Sequence, residues 1–375
     1  MATIAKSFTA IPILDLRAQY TTLKEEIRSA IDTVLERQHF ILGPEVKNLE
    51  QEIAKYCGRK YGIGVASGTD ALILALKACG IGSGDEVIVP SFTFIATADA
   101  VSLLGATPVF ADIQPDTFNI DPAEIEALIT SRTKAIIPVH LYGQSADMGP
   151  IQAVAKAHNL KVVEDTAQAL GATYRGRRTA SLGDVGCISF FPSKNLGCYG
   201  DGGMVVTDSE EIYRKIVSLR THGSTKKYFS EEQGWNSRLD ELQAAILRVK
   251  LRYLDTWGEQ RRAVADRYDS LLRYLDVITP RRNDFGSHVF HQYTIRVPHR
   301  DAMQKHLAEA GITTMVYYPV PIHLQPIYSH LGYKEGDLPE TETACKEVLS
   351  LPIFPELTEE QSGYVADAIA AALNR

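Results

Sequence analysis

Between about residues 60 and 207 the apolar residues fall into two alternating patterns. One is the short continuous run: "YGIGVAS", "DEVIVP", "TPVFADI", "KAIIPVH", "KVVEDT", "VGCISFF" and "GGMVVTD". Runs of this length without polar alternation fit strands buried on both faces. The other is the helical period, in "TDALILALKAC", "ATADAVSLLG", "DPAEIEALIT" and "MGPIQAVAKAHN". Strands that alternate with helices predict an α/β domain built on a mostly parallel sheet.

The order changes after Leu239. A helical pattern extends to Leu275, and "HVFHQYTIRV" then reads as a strand. "RDAMQKHLAEAG" reads as a helix stopped by Gly311, and "TTMVYYPVPIH" as a strand running into prolines. "TETACKEVLSLP" and "TEEQSGYVADAIAAALN" read as helices. This α+β order predicts a smaller C-terminal domain at 249–375, after a large domain at 1–248 that includes an N-terminal segment. A chain of 375 residues is long enough for two such cores.

Composition narrows the function classes. Charged residues make up 23% and the net charge is −7, which gives no electrostatic footprint for nucleic acid. No apolar run reaches the roughly 20 residues of a membrane span. The N-terminal "MATIAKSFTAIPILDLRAQY" lacks the long apolar region of a signal peptide. The five cysteines are odd in number and form no CxxC, so a reduced, cytoplasmic chain without a metal site is expected.

Three stretches carry candidate chemistry. In "ASGTDALILAL" a strand ends, Gly68 permits a tight turn, and a helix begins near Thr69. Free N–H groups and the helix dipole then favour a phosphate, although the same residues also make an ordinary helix cap. In "VVEDTAQALGA", Asp165 lies just past a buried strand, at the edge where open α/β sheets bind ligands. It could equally cap the following turn, with Gln168 as a reciprocal partner. In "SFFPSKNLGCYGDGG", Lys194 sits among aromatic and small residues with almost no other charge. A lysine there either reaches water along a packed stem or is desolvated, with a lowered pKa that suits Schiff-base chemistry. A phosphate site, a carboxylate and a desolvated lysine are together the parts needed to hold pyridoxal phosphate.

The chain resembles the DegT/StrS-type aminotransferases, fold type I pyridoxal-phosphate enzymes that aminate nucleotide-linked keto-sugars. "SGTDAL", "PSFTFIATADAV", "VEDTAQALGA", "SFFPSKNLGCYGDGG" and "NSRLDELQAAIL" occur in the family's order. The resemblance implies that Lys194 is the Schiff-base lysine and proton shuttle. It implies that Asp165 pairs with the pyridinium and that Gln168 hydrogen-bonds the ring hydroxyl. Gly68, Thr69 and Ser189 would contact the phosphate. Phe94 would stack on the ring, with Ala167 on the opposite face; without the resemblance Phe94 reads as core. Asn236 would reach the phosphate from the other subunit, making the sites of a homodimer composite. Arg238, Tyr317, Tyr318 and His323 would face the substrate, though Arg238 could instead pair with Asp240 or Glu241. A branch of the family carries histidine in place of the lysine and dehydrates sugars; Lys194 excludes it.

The implied reaction moves an amino group from glutamate, released as 2-oxoglutarate, to a nucleotide-linked keto-hexose. "NSRLDELQAAILRVKL" looks most like members that act at carbon 3, on UDP-linked 2-acetamido or dTDP-linked 6-deoxy sugars. That places the chain in amino-sugar and polysaccharide biosynthesis, including that of O-antigen. The alternatives are a carbon-4 aminotransferase, an enzyme for a cyclic ketone without a nucleotide, and a non-catalytic sensor.

Overall fold

The computed structural model describes residues 10–226 and 228–373. The reading of the first residues, as lacking a signal peptide, falls largely outside these, and so does the end of the last helical pattern at Asn374. All seven apolar runs become strands of one sheet. Their spatial order is Tyr61–Val65, Gly203–Thr207, Val185–Ser189, Lys161–Asp165, Thr133–Ile136, Glu86–Pro90, Thr107–Ala111. Gly203–Thr207 runs antiparallel to both neighbours, and every other pairing is parallel.

Both faces of the sheet are covered, as the continuous apolar runs require. Val163, Val185 and Val205 pack under the helices Gly68–Ala78 and Glu210–Leu219. Their neighbours Val162, Ile188, Met204 and Val206 point the other way, since successive side chains of a strand alternate. There they meet the helices Pro44–Cys57, Met148–Ala157 and Glu241–Leu251. A second apolar cluster joins Ile11 to residues between Val264 and Ile369, around the antiparallel pair Tyr293–Arg296 and Val348–Leu351. No helix among the described residues is long and apolar enough to cross a membrane.

Several elements differ from the sequence pattern. The helical stretch from Leu239 breaks into Glu241–Leu251 and Leu254–Leu272. The helix in "TETACKEVLSLP" stops at Glu347, and Val348–Leu351 is a strand. An apolar run of that length suits either state, and the exposed edge of Tyr293–Arg296 decides between them. "TTMVYYPVPIH" forms no regular strand and pairs only through a Met315–Ser350 bridge. Pro319 and Pro321 supply no N–H for a ladder. Before the sheet lie the helices Leu16–Arg37 and Pro44–Cys57. The second has no side-chain cap at Gly43; instead the Glu241 carboxylate accepts the N–H groups of Glu45 at 3.0 Å and Val46 at 2.8 Å.

Glu164 is the most demanding buried group of the sheet. It is fully buried, and its carboxylate accepts the N–H groups of Ala180 at 2.9 Å and of Leu182 and Gly183 at 2.6 Å, and meets His140 Nε2 at 2.9 Å. Removing one member of such a buried set leaves the others desolvated and unpaired. Glu164→Ala is therefore expected to destabilise the fold by about 3–5 kcal/mol, and Glu164→Gln by less. Urea unfolding at neutral pH measures both.

Candidate active site

A cavity of about 370 Å³ opens at the edge of the sheet where the parallel strands end. Three strand-to-loop junctions form it. Tyr61–Val65 leads to Ser67, Gly68 and Thr69; Lys161–Asp165 ends on Asp165; Val185–Ser189 leads to Ser189 and Lys194. Of the thirteen residues expected at the site, ten line this cavity, including Phe94, Ala167, Gln168, Tyr317 and Tyr318.

Ser67 caps the helix Gly68–Ala78 by accepting the Asp70 N–H at 3.0 Å. Helix geometry leaves the N–H groups of Gly68 and Thr69 without intrahelical partners, and they stand at the cavity wall. A Cβ on Gly68 would lie 2.6 Å from Ser189 Cβ, so only glycine lets this turn meet Ser189. The result is an anion cradle of backbone N–H groups, a helix N-terminus and the hydroxyls of Thr69 and Ser189.

Asp165 is buried but not exhausted. Its Oδ2 accepts from Thr97 Oγ1 at 2.9 Å and its Oδ1 from the Ala167 N–H at 3.1 Å. Those two bonds fix the carboxylate and leave acceptor capacity for a cation in the cavity. Strand alternation explains why Asp165 faces the cavity while Glu164 faces the sheet's other side. Gln168 is held at both ends: its Oε1 accepts the Tyr142 N–H at 2.7 Å, and its Nε2 donates to Tyr318 Oη at 3.0 Å.

Lys194 is partly exposed, toward the cavity, and its Nζ makes no hydrogen bond or ion pair among the described residues. Burial pushes its ammonium down to about 8, against a smaller opposing pull from Asp165. It is thus a desolvated amine, not a lysine whose head escapes to water. Phe94 is 55% exposed, which removes the core reading, and its ring lies 6.1 Å from that of Tyr318. Burial raises the phenol pKa of both Tyr317 and Tyr318.

Three expected residues lie elsewhere. His323 is a correction: it is fully buried, with Nδ1 2.7 Å from Ser91 Oγ and Nε2 3.3 Å from Glu342 Oε1. With both nitrogens engaged inside the protein it has nothing to offer a sugar. Asn236 is exposed and Arg238 half-buried, and neither lines the cavity of its own chain. Arg238 does not pair with Glu241, whose carboxylate is occupied at the helix start of Pro44–Cys57. The sequence reading missed Thr97, Ser193, His291 and Gln292, which also line the cavity. Thr97 lies in a helical pattern that looks like plain core, and His291 in a run that looks like plain strand.

The model of the DegT/DnrJ/EryC1/StrS aminotransferase family matches residues 21–370. The chain belongs to this family. Family membership makes it a pyridoxal-phosphate-dependent aminotransferase of fold type I. It is 56% identical over 363 residues to the pleiotropic regulatory protein of Geobacillus stearothermophilus, covering 96% of this chain and 98% of that one. It is 50% identical to the UDP-N-acetyl-3-dehydro-α-D-glucosamine 3-aminotransferase of Acidithiobacillus ferrooxidans, covering 98% and 99%. With the dTDP-3-amino-3,4,6-trideoxy-α-D-glucose transaminase of Streptomyces venezuelae the identity is 48%, covering 96% and 95%. The crystal structure of S. venezuelae DesV superposes with a TM-score of 0.95 at 47% identity, covering 98% and 99%. That of Bacillus subtilis NtdA, with bound cofactor PMP, gives 0.93 at 34%, covering 100% and 87%. The residues present fit such a cofactor: the cradle at Gly68 accepts a phosphate, Asp165 a ring cation, and the unpaired Lys194 an aldehyde.

The lowered pKa has a direct consequence. In cofactor-free protein, Lys194 loses its proton around pH 8, whereas an ordinary lysine does so near 10.5. At pH 8 its free-amine fraction is then roughly 100-fold that of a surface lysine. Reductive methylation followed by peptide mass spectrometry is expected to label Lys194 with a midpoint near pH 8. A midpoint matching the surface lysines would show that the amine is hydrated.

Proposed function

We propose that this chain transfers an amino group from glutamate to carbon 3 of a nucleotide-linked keto-hexose. The observation that carries the reading is the unpaired, desolvated Lys194 facing a cavity that also holds Asp165 and the anion cradle. The choice of carbon 3 rests on the relatives, whose names specify a UDP-linked 3-dehydro sugar aminated at carbon 3 and a dTDP-linked 3-amino sugar. In this reading residues 1–248 form the cofactor-binding domain and 249–375 the smaller one, the protein works in the cytoplasm, and its product enters polysaccharide assembly.

Pyridoxal phosphate supplies an aldehyde that bonds an amine and a pyridinium ring that takes up the electron pair left by a departing proton. The chain's residues do the rest. Gly68, Thr69 and Ser189 hold the phosphate. Asp165, steadied by Thr97, keeps the ring nitrogen protonated. Gln168, with one amide hydrogen uncommitted, donates to the ring hydroxyl. Phe94 and Ala167, which both line the cavity, would hold the two faces of the ring. Lys194, whose amine faces the cavity, would serve as the base that moves the proton, a role worth on the order of 10²–10⁴-fold in rate. Tyr317 and Tyr318 border the remaining space, where the sugar would sit.

The second subunit of a homodimer completes this reading. Asn236 is exposed, and the apolar, exposed Phe40–Leu42 stretch bridges through Ile41 to Asp240, four residues further along the chain. Such a surface favours a partner copy, which would receive Asn236 at its phosphate and Arg238 near its sugar. If so, Lys194→Ala and Asn236→Ala are each inactive alone, but equal mixing with subunit exchange restores about a quarter of wild-type activity through one intact site in each mixed dimer. No recovery despite confirmed exchange would place both residues in one chain's site.

The substrate is tested in reverse. The enzyme is incubated with 2-oxoglutarate and a panel of nucleotide-linked 3-amino and 4-amino sugars, and glutamate is measured. Turnover of the 3-amino set, absent in Lys194→Ala, is expected. Turnover confined to the 4-amino set overturns carbon 3, turnover of an amino-cyclitol alone removes the nucleotide, and no turnover with any amine favours a sensor. If uronic-acid substrates react, loss of that activity in Arg238→Ala would assign the arginine to the sugar carboxylate.

A further inference from the structure

The loop between Ser189 and Gly203 carries Lys194, and its backbone bonds are completed from the helix Glu241–Leu251. Within the loop, the Lys194 N–H donates to the Phe191 carbonyl at 2.8 Å and the Cys198 N–H to that of Phe190 at 2.8 Å. The groups around them are served by helix side chains. Gln243 Oε1 accepts the Tyr199 N–H at 2.8 Å, and its Nε2 donates to the Tyr199 carbonyl at 3.2 Å. Two turns further on, on the same helix face, Lys250 Nζ donates to the Gly197 carbonyl. Lys250 is fully buried, and its Nζ lies 4.9 Å from the centre of the Tyr199 ring. It pairs with no carboxylate among the described residues, and burial pushes its ammonium down to about 8. An apolar side chain would fill this place at lower cost, so its bond to the loop is the feature to explain.

Resting on the aminotransferase reading, we propose that Lys250 is a positioning residue for Lys194: by holding the Gly197 carbonyl inside the protein, it fixes the turn that presents the Lys194 amine to the cavity. Lys194 lies within residues 192–197, and the two ends of this turn touch. A Cβ on Gly197 would lie 2.3 Å from the Pro192 carbonyl oxygen. A hold on Gly197 is therefore a hold on the whole turn. The carbonyl that faces the helix needs a donor that can reach it, because a buried carbonyl left unpaired costs as much as a lost hydrogen bond. The ammonium gives it a charge-assisted bond and rests over the ring of Tyr199, whose backbone Gln243 holds in turn. Lys250 does not line the cavity. The low value of Lys194 comes from burial and is opposed by Asp165, with no contribution from the Lys250 charge. A change at Lys250 thus reaches Lys194 only through the loop.

The test uses cofactor-free protein and needs no sugar, so it fails or succeeds independently of the substrate panel. The pH profile of Lys194 reductive methylation is measured in wild type, Lys250→Met and Lys250→Gln. Release of the turn lets the amine meet water, so Lys250→Met is expected to move the midpoint up from about 8, by about one pH unit. Lys250→Gln keeps an N–H donor and is expected to stay near the wild-type value. An unmoved midpoint in Lys250→Met overturns the proposal, even where urea shows that variant to be less stable, since the lysine then serves packing alone. A rise shared in full by Lys250→Gln also overturns it, because the bond to Gly197 would not be the cause. Wild type serves even if the methionine variant fails to fold. Lys250, held on its carbonyl, is expected to escape methylation at every pH at which Lys194 reacts, and equal labelling of the two lysines overturns the proposal.

Discussion

The site depends on one constraint: an amine must be kept out of water without a carboxylate bonded to it. Lys194 meets this through its backbone. Its loop leaves the sheet at Ser189 and returns at Gly203, and these two residues are paired across neighbouring strands. Because Gly203–Thr207 is antiparallel, both ends of the loop are anchored at the same sheet edge, over the cavity. A parallel strand would have required a crossover that carried the chain away from this edge. The lone antiparallel strand is thus part of the lysine's mounting. Its cost is crowding: a Cβ on Gly203 would lie 2.2 Å from the Ser67 carbonyl, and one on Gly197 2.3 Å from that of Pro192. Close packing of small residues holds the backbone of this loop tight against the sheet edge.

The same sheet separates two consecutive carboxylates by function. Glu164 turns to the covered face and spends its oxygens on three backbone N–H groups and His140. Asp165 turns to the cavity and keeps part of its capacity open. Position along the strand assigns these roles more than residue type does, and a one-residue slip of register would exchange them. The bonds of Glu164 to residues 180–183 pin the loop that precedes Val185–Ser189, and so help to fix the strand that leads to Lys194.

How much of this was legible follows from how local each cause is. The seven strands announce themselves as apolar runs, and Gly68, Asp165 and Lys194 stand at their ends, where an α/β sheet concentrates chemistry. What escaped was set by distant partners. The helix Pro44–Cys57 takes its cap from Glu241, about two hundred residues on, so no local capping signal marks its start. Val348–Leu351 becomes a strand because Tyr293–Arg296 offers an edge. Thr97 matters through a bond to Asp165. Phe94 was ambiguous until its exposure was seen, since an aromatic after a buried strand reads as core.

His323 shows how a residue can serve a site it does not enter. It sits in a run of prolines and aromatics whose earlier members, Tyr317 and Tyr318, do reach the cavity. That segment lacks a ladder of its own, and side chains add to the scattered backbone bonds of Thr313, Met315 and Ile322 that hold it. His323 binds Ser91, directly after the strand Glu86–Pro90, through both its ring and its backbone N–H. Glu342 holds the other ring nitrogen and the Gly336 N–H. Asp112, past the neighbouring strand, accepts the N–H groups of Glu340 at 2.9 Å and Thr341 at 2.8 Å, at the start of the helix Pro339–Glu347. The two clamps fasten the segment to the same sheet edge that carries Asp165 and Lys194. The tyrosines are positioned against the cavity because buried His323 ties their segment to Ser91, while buried Asp112 ties down the helix whose Glu342 holds that histidine.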